Sequence, residues 1–328
     1  MHSGNCQHFL NWCTREDGLV LKKESARGNR RVSSLLKALA RLGCCIKKDK
    51  EENLLLLVGT VPVKNNLTQT LRGISRTRRA AKWMNGVTGQ HVDLARKARE
   101  GNWWIAKPDY ISIEDYIFAC KTRVNCLPCP VNLMKWKKAD KKSCPLCGCP
   151  CCTQSHILSG CPKLTQYYTK RHDYMVNTMH KILTESCNFS ALKEKELPNS
   201  CLRPDLTIPE GEARGVYLDV GITASENPDK GIPLVFNIKH KKYANKHGIR
   251  IDGDKDVTSN DTFRFVPLIF TTTGLYKPSL FRDLANVLKL KPKTVNYILR
   301  RLSALAIKGT RHVWIAYKHA EAKAMING

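Results

Sequence analysis

Between Cys144 and Cys161 the chain reads Cys-Pro-Leu-Cys-Gly-Cys-Pro-Cys-Cys-Thr-Gln-Ser-His-Ile-Leu-Ser-Gly-Cys, with six cysteines and one histidine in eighteen residues. No other segment so restricts what it can fold into. A tetrahedral Zn²⁺ takes four soft or borderline ligands held together by tight turns. Cys144-x2-Cys147 offers one pair and His156-x4-Cys161 the other. Cys149, Cys151 and Cys152 can each stand in for Cys147, so the second ligand stays open at this level. Cys126-x2-Cys129 is a further CxxC pair without a second half, and it reads as incidental. The opening residues, MHSGNCQHFLNW, lack a charged start followed by an apolar stretch, so no secretory signal is expected. Fifteen cysteines without such a signal point to a reducing compartment, where clustered cysteines bind metal more often than they form disulfides. The sequon at Asn66-Leu67-Thr68 then carries no meaning.

Lys and Arg number 55 against 28 Asp and Glu, a formal net charge of +27. A field of that sign draws in polyanions, and phosphate neutralisation makes nucleic acid the expected partner. No run approaches the roughly 20 apolar residues of a membrane helix. The longest, Leu54 to Val63, is broken by Gly59 and Pro62 and reads as a buried strand or core segment.

The first 110 residues read as a basic helical region. Val32 to Leu42 has apolar residues at helical spacing, and Arg72 to Lys82 carries the run Arg-Thr-Arg-Arg-Ala-Ala-Lys. No paired-aspartate motif of the polymerase kind is present. Ser112 and Asp115 form a capping box that opens a helix. Ile113, Tyr116, Ile117, Cys120 and Val124 then fall on one of its faces. The stretch 125–142, with its prolines and lysines, reads as a linker. Boundaries then follow at 111–140 for helix and linker, 141–165 for the zinc knuckle and 166–328 for a final α/β domain. In that domain Leu164 to Ser186 is free of Gly and Pro and reads as a helix. Leu234 to Asn245 reads as another, and Phe263 to Phe270 as a strand that Pro267 places at an edge or bulge. Ser279 to Leu290 and Pro292 to about Ile307 read as two closing helices. The fold class expected is α+β.

The chemistry is expected on two short apolar runs, Arg203-Pro204-Asp205-Leu206-Thr207-Ile208 and Val216-Tyr217-Leu218-Asp219-Val220, joined by a turn-like PEGEARG. Apolar strands hold their backbones rigidly, so two carboxylates from adjacent strands can share a divalent cation. Mg²⁺ prefers such oxygen ligands completed by phosphate and water. Strand alternation puts Val216, Leu218, Val220 and Ile222 on one face and Tyr217, Asp219, Gly221 and Thr223 on the other, with Asp219 presented outward. Nucleases of the PD…D/E-x-K type carry a lysine two residues after the second acid. Here that position is Gly221. Lys239 and Tyr243 share a face of the following helix, and a lysine there could reach the scissile phosphate.

Taken in order, these residues resemble the C-terminal part of the polyprotein of site-specific, LINE-like non-LTR retrotransposons, of the group that inserts into ribosomal RNA genes. The resemblance runs from about 112 to 320. It includes Asp115-Tyr116 and Arg123-Val-Asn125-Cys-Leu127-Pro128 ahead of the knuckle, His156-Ile-Leu and Cys161 within it, and Arg171-His172 eleven positions beyond Cys161. RPDL, LDV, Lys239-x3-Tyr243 and Gly274-Leu-Tyr276 continue it. The resemblance implies a CCHC knuckle followed by a restriction-endonuclease-like α/β core. It implies an endonuclease that nicks target DNA so that the new 3′-hydroxyl primes reverse transcription. Asp205 and Asp219 would hold Mg²⁺, Lys239 would stabilise charge at the phosphate, Tyr243 would support it, and His172 would be a further active-site residue. Cys144, Cys147, His156 and Cys161 would hold a structural Zn²⁺. Partners would be target DNA, element RNA and the upstream reverse transcriptase region of the parent polyprotein, with action in the nucleus after synthesis in the cytoplasm. The sequence departs from the family in its slightly long Cys147–His156 spacing and in lacking the polymerase core. A binding fragment without catalysis is the alternative expectation, and a recruited host protein a third.

Overall fold

The computed structural model describes residues 30–41, 43–48, 54–58, 61–62, 67–86, 88–89, 99–106, 111–196, 202–209, 215–223, 228–243, 249–251 and 263–326. The opening residues, Asn66 of the sequon and most of the PEGEARG turn lie outside them. The chain is α+β and divides into two compact units, Met1–Trp83 and Met84–Gly328. Among the described residues no helix is long and apolar enough to cross a membrane.

In the first unit helix α1 (Arg30–Arg41) leads into strands β1 (Cys44–Lys48), β2 (Leu54–Val58) and β3 (Val61–Pro62), and helix α2 (Leu67–Met84) follows. The strands form an antiparallel sheet in the order β1-β2-β3. The region is therefore not simply helical, as its sequence suggested. The LLLLV run pairs with Cys44–Lys48 to make a sheet between the two helices. Gly43 ends α1 with φ +60° and donates its N–H to Ala40 C=O at 2.8 Å, a left-handed cap that suits glycine. The basic run of α2 is exposed.

The second unit opens with a 3₁₀ turn, Arg99–Asn102, and helix α3 (Trp103–Ala106). Helices α4 (Ile113–Arg123) and α5 (Pro130–Lys135) precede the cysteine-rich loops. Helix α6 (Thr165–Lys181) and a wide turn, Ile182–Ser186, lead to strands β4 (Leu192–Lys193), β5 (Leu206–Pro209) and β6 (Gly215–Thr223). Helix α7 (Pro228–Tyr243), strands β7 (Ile249–Ile251) and β8 (Phe263–Thr271), and helices α8 (Ser279–Leu288) and α9 (Pro292–Ile326) complete it. The sheet order is β4-β5-β6-β8-β7, antiparallel through β6 and parallel beyond it. The chain leaves β6, crosses through α7 to β7 at the far edge, and returns as β8 between β6 and β7, parallel to both, with a helix in the crossover as parallel strands require. Val216, Leu218 and Val220 face a core shared with Met175 and Met179 of α6, Leu284 of α8 and Leu299 of α9. The opposite face of the sheet is covered by α7, where Ile232 and Val235 meet Ile269.

Several expectations are corrected. Asp219 lies on the predicted face but is not outward in the sense of solvent, because α7 covers it and leaves it 3% exposed. Strand β8 is internal in the sheet order and keeps register from Phe263 to Thr271 without a bulge. Pro267 is tolerated because β7 pairs with β8 only as far as Phe265. The last helix runs to Ile326, well past Ile307. Residues 125–142 are not a linker. Leu127, Cys129, Pro130 and Asn132 are buried, and Asn132 Nδ2 donates to the carbonyls of Asn125 and Leu127 at 2.9 and 2.8 Å.

Helix α4 has the expected cap, with Asp115 N–H donating to Ser112 Oγ at 3.1 Å, but it buries another face. Asp115, Phe118, Ala119 and Thr122 point inward, while Ile113 is 64% exposed. The inward stripe begins with a carboxylate, 3.6 Å from Arg311 of α9, so apolar spacing alone selects the wrong side. Phe118→Ala should therefore cost about 3–5 kcal/mol of stability. Ile113→Ala should change it by no more than about 0.5 kcal/mol in the same denaturant titration.

Candidate metal centre and acid cluster

The first candidate site is the knuckle. Ligand atoms of Cys144, Cys147, His156 and Cys161 all lie within 4.8 Å of one another. Cys144 and Cys161 sulfurs are 4.0 Å apart, and Cys147 Sγ is 3.4 Å from His156 Nε2. Zinc bonds of about 2.3 Å to sulfur and about 2.0 Å to nitrogen give tetrahedral edges of roughly 3.5–3.8 Å, so the donor set fits. This Cys₃His cluster could hold a metal such as zinc.

Local structure explains the spacing. Gly148 takes φ +72° and donates to Cys144 C=O at 2.9 Å, closing the turn that folds Cys147 back. His156 opens a π-type turn, His156–Gly160, whose i to i+5 pitch brings it back toward Cys161. Cys161 N–H donates to Tyr168 Oη at 3.0 Å, and that hydroxyl donates to Ile157 C=O at 2.8 Å. Burial pushes the Cys161 thiol up to about 12, with the Cys144 and Cys147 thiols adding to it. Burial also lowers His156, which keeps a ligand nitrogen free of its proton. Of the alternatives left open by sequence, Cys149 and Cys151 stand outside the cluster, with Cys149 Sγ 3.8 Å from Cys151 C=O. Cys152 is buried against Tyr317 Oη at 3.7 Å. Cys126 and Cys129 take no part in the cluster either.

The second candidate site is the acid pair. Leu206 pairs with Leu218 across β5 and β6, so one step further Asp205 stands opposite Asp219. The fourteen-position spacing is thus the spacing of a hairpin. His172, Asp205 and Asp219 offer ligand atoms within 4.8 Å of one another. Asp205 Oδ2 accepts from Val220 N–H at 2.6 Å and lies 3.0 Å from His172 Nε2. Lys239 Nζ pairs with Asp219 Oδ1, while Asp219 Oδ2 is buried and, among the described residues, accepts no hydrogen bond. Tyr243 is fully buried, stacks on Phe265 with ring centroids 4.6 Å apart, and donates to Arg203 C=O at 3.2 Å.

Electrostatics separates the two acids. Burial raises Asp219 to about 6, with the facing Asp205 carboxylate adding to it and Lys239 offsetting part. Burial acts upward on Asp205 as well, but His172 and the Val220 N–H, both hydrogen-bonded to its carboxylate, hold it below the usual range. Its hydrogen bond to Asp205 raises His172 above the ordinary histidine value.

Gly221 explains the missing strand lysine. A Cβ there would come within 2.6 Å of Ile269 Cδ1 and 3.0 Å of both Lys239 Cε and Val235 Cγ1. The space above position 221 is filled by the Lys239 side chain, which descends from α7 to Asp219.

Sequence reasoning passed over Arg171 except as a motif letter. It is 4% exposed, passes over Gly309, and its Nη1 donates to Leu158 C=O and Thr310 Oγ1, both at 3.0 Å. One helix therefore presents Arg171 to the knuckle and His172 to the acid pair. Its only sequence signal was a charged residue inside an apolar helical stripe. No family model matches the chain, and comparison with curated proteins found no match.

The geometry makes two expectations. Metal analysis of purified protein should give one zinc per chain, lost in Cys147→Ser and retained in Cys149→Ser. Chelation should open residues 141–165 to proteolysis, since such sites supply their own folding energy. Gly221→Ala should cost about 1–3 kcal/mol by overpacking and should displace Lys239 from Asp219, read by thermal melts and by the titration of Asp219.

Proposed function

We propose that this chain is a Mg²⁺-dependent DNA endonuclease, with a zinc-stabilised module beside a restriction-endonuclease-like core. The observation that carries the reading is the meeting of Asp205, Asp219 and Lys239 from three separate segments around a buried carboxylate oxygen without a hydrogen-bond donor. The donor set fits a hard cation, for which paired carboxylate oxygens are suitable ligands. Asp205 and Asp219 would hold it, and His172 Nε2 lies at the edge of the same group. When bound, Mg²⁺ supplies Lewis acidity and charge at a phosphodiester.

The remaining roles fall to the chain itself. Lys239, partly exposed beside Asp219, can turn its ammonium to the phosphate and offset charge as it grows. Tyr243 is a positioning residue, since it grips the Arg203 carbonyl two residues before Asp205. His172 orients the Asp205 carboxylate. The net charge of +27 holds the nucleic-acid backbone without reading its sequence. With the resemblance to LINE-like elements, the nick would prime reverse transcription by an upstream polymerase region of a parent polyprotein, acting in the nucleus.

A second reading is a zinc-dependent nucleic-acid-binding fragment without catalysis. It is favoured by Lys239 on Asp219 and His172 on Asp205, which already partner both acids. Nicking of supercoiled plasmid with and without Mg²⁺ separates the two. Asp205→Ala and Asp219→Ala should abolish metal-dependent nicking, and Lys239→Ala should lower it about 10²–10³-fold. Wild-type protein that is zinc-loaded and shifts DNA on a gel, yet never nicks, would leave the binding reading.

A further inference from the structure

Helices α6 and α9 border a cavity of about 410 Å³ lined by Tyr167, Lys170, Arg171 and Tyr174 on α6 and by Lys308, Gly309 and His312 on α9. The α6 residues follow i, i+3, i+4 and i+7 and form one stripe. His172, five positions after Tyr167, points roughly 140° away from that residue, so the cavity and the acid pair use different sides of the helix.

Three observations mark the cavity as a ligand site. The first is Arg171. Beyond its bonds to Leu158 and Thr310, Nη2 lies 3.3 Å from Ser159 Oγ, and Nε is buried without an acceptor. Among the described residues no carboxylate pairs with it. A buried guanidinium lacking a counter-charge is costly, and an anion in the cavity would provide one. The second is the lining, in which Lys170 and Lys308 add charge and no acidic residue appears. The third is the pair of tyrosines. Tyr174 is 53% exposed, an aromatic face open to a stacking partner, and Lys170 Nζ lies 5.7 Å from the Tyr167 ring. A flat phosphate track along a duplex needs lysines but neither a cavity nor aromatic faces. Anion and planar base together are the chemistry of a nucleotide, and the volume lies in the ordinary range for small-ligand pockets of about 300–1,000 Å³.

We propose that this cavity binds an unpaired nucleotide of a single-stranded nucleic acid, its phosphate held by Lys170 and Lys308, with the buried Arg171 adding positive charge from the wall, and its base stacked on Tyr174. Duplex bases are already stacked and cannot enter. None of these residues belongs to the acid cluster, so the site stands whether or not the chain cuts DNA.

The test is fluorescence anisotropy on the full zinc-loaded chain without Mg²⁺, so that loss of nicking has no bearing on it. Labelled single strands of about 10 nucleotides, in DNA and RNA forms, are compared with the matching duplex. Single strands should bind more tightly than duplex, and the tighter of the two forms identifies the source of the nucleotide. Tyr174→Ala should weaken single-strand binding about tenfold, and Tyr174→Phe should restore it. Lys308→Glu, at an exposed position, should weaken it independently. A nucleoside monophosphate should compete better than inorganic phosphate. Unchanged single-strand affinity in Tyr174→Ala, an equal loss for duplex, or equal competition by inorganic phosphate would each overturn the proposal.

Discussion

Two carboxylates face each other across an antiparallel strand pair, and much of the second unit is arranged around that fact. Like charges directly opposite on neighbouring strands repel. The Leu206–Leu218 register forces Asp205 and Asp219 into this relation, and neighbouring elements answer it differently for each acid. Asp205 lies at the mouth of the hairpin, where a backbone N–H and His172 can reach it. Asp219 lies inside the strand under α7, where Lys239 pairs with one of its oxygens and, among the described residues, the other accepts no hydrogen bond. The connection that leaves β6 brings α7 over this face, and Gly221 leaves the room through which the lysine passes.

Helix α6 ties this arrangement to the knuckle. Its N-terminal end follows Cys161 almost directly, and Tyr168 and Arg171 fasten it to the carbonyls of Ile157 and Leu158 in the π-type turn. The next residue after Arg171 is the histidine that orients Asp205. A backbone shift in the cysteine-rich loops would rotate or slide α6, and so move His172 relative to the acids. The two candidate sites are separate in chemistry but share one rigid element, with Gly309 allowing α9 to close against Arg171.

The residues that make the sites were legible because their chemistry is scarce. A CxxC with HxxxxC, a PD beside an apolar strand and a glycine where a lysine is wanted each stand out from background. The choice of Cys147 over Cys149 was not legible, because it depends on the left-handed turn at Gly148 rather than on ligand type. The inner face of α4 was not legible in its apolar spacing for a physical reason: Asp115 is buried opposite Arg311, and polarity patterns assign a carboxylate to the surface. The segment 125–142 was misread for the same kind of reason. Its prolines and lysines suggested a linker, but Asn132 satisfies two backbone carbonyls and lets Leu127 and Cys129 enter the core. Helix α9 continues past Ile307 because Val313 and Tyr317 pack into the knuckle core, a partner that local pattern does not reveal.

The preference for an active site over a scaffold rests on what a scaffold would have no reason to keep. A buried carboxylate held to about 6, with one oxygen unpartnered, is unfavourable for the fold on its own. An apolar or amide side chain at position 219 would serve a binding module equally well and at lower cost. Strongly perturbed acids cluster at functional sites because the same burial that penalises them strengthens their grip on a cation. The partners already on both acids do not weaken this, because Lys239 and His172 remain partly exposed and can yield their places to a cation and a phosphate.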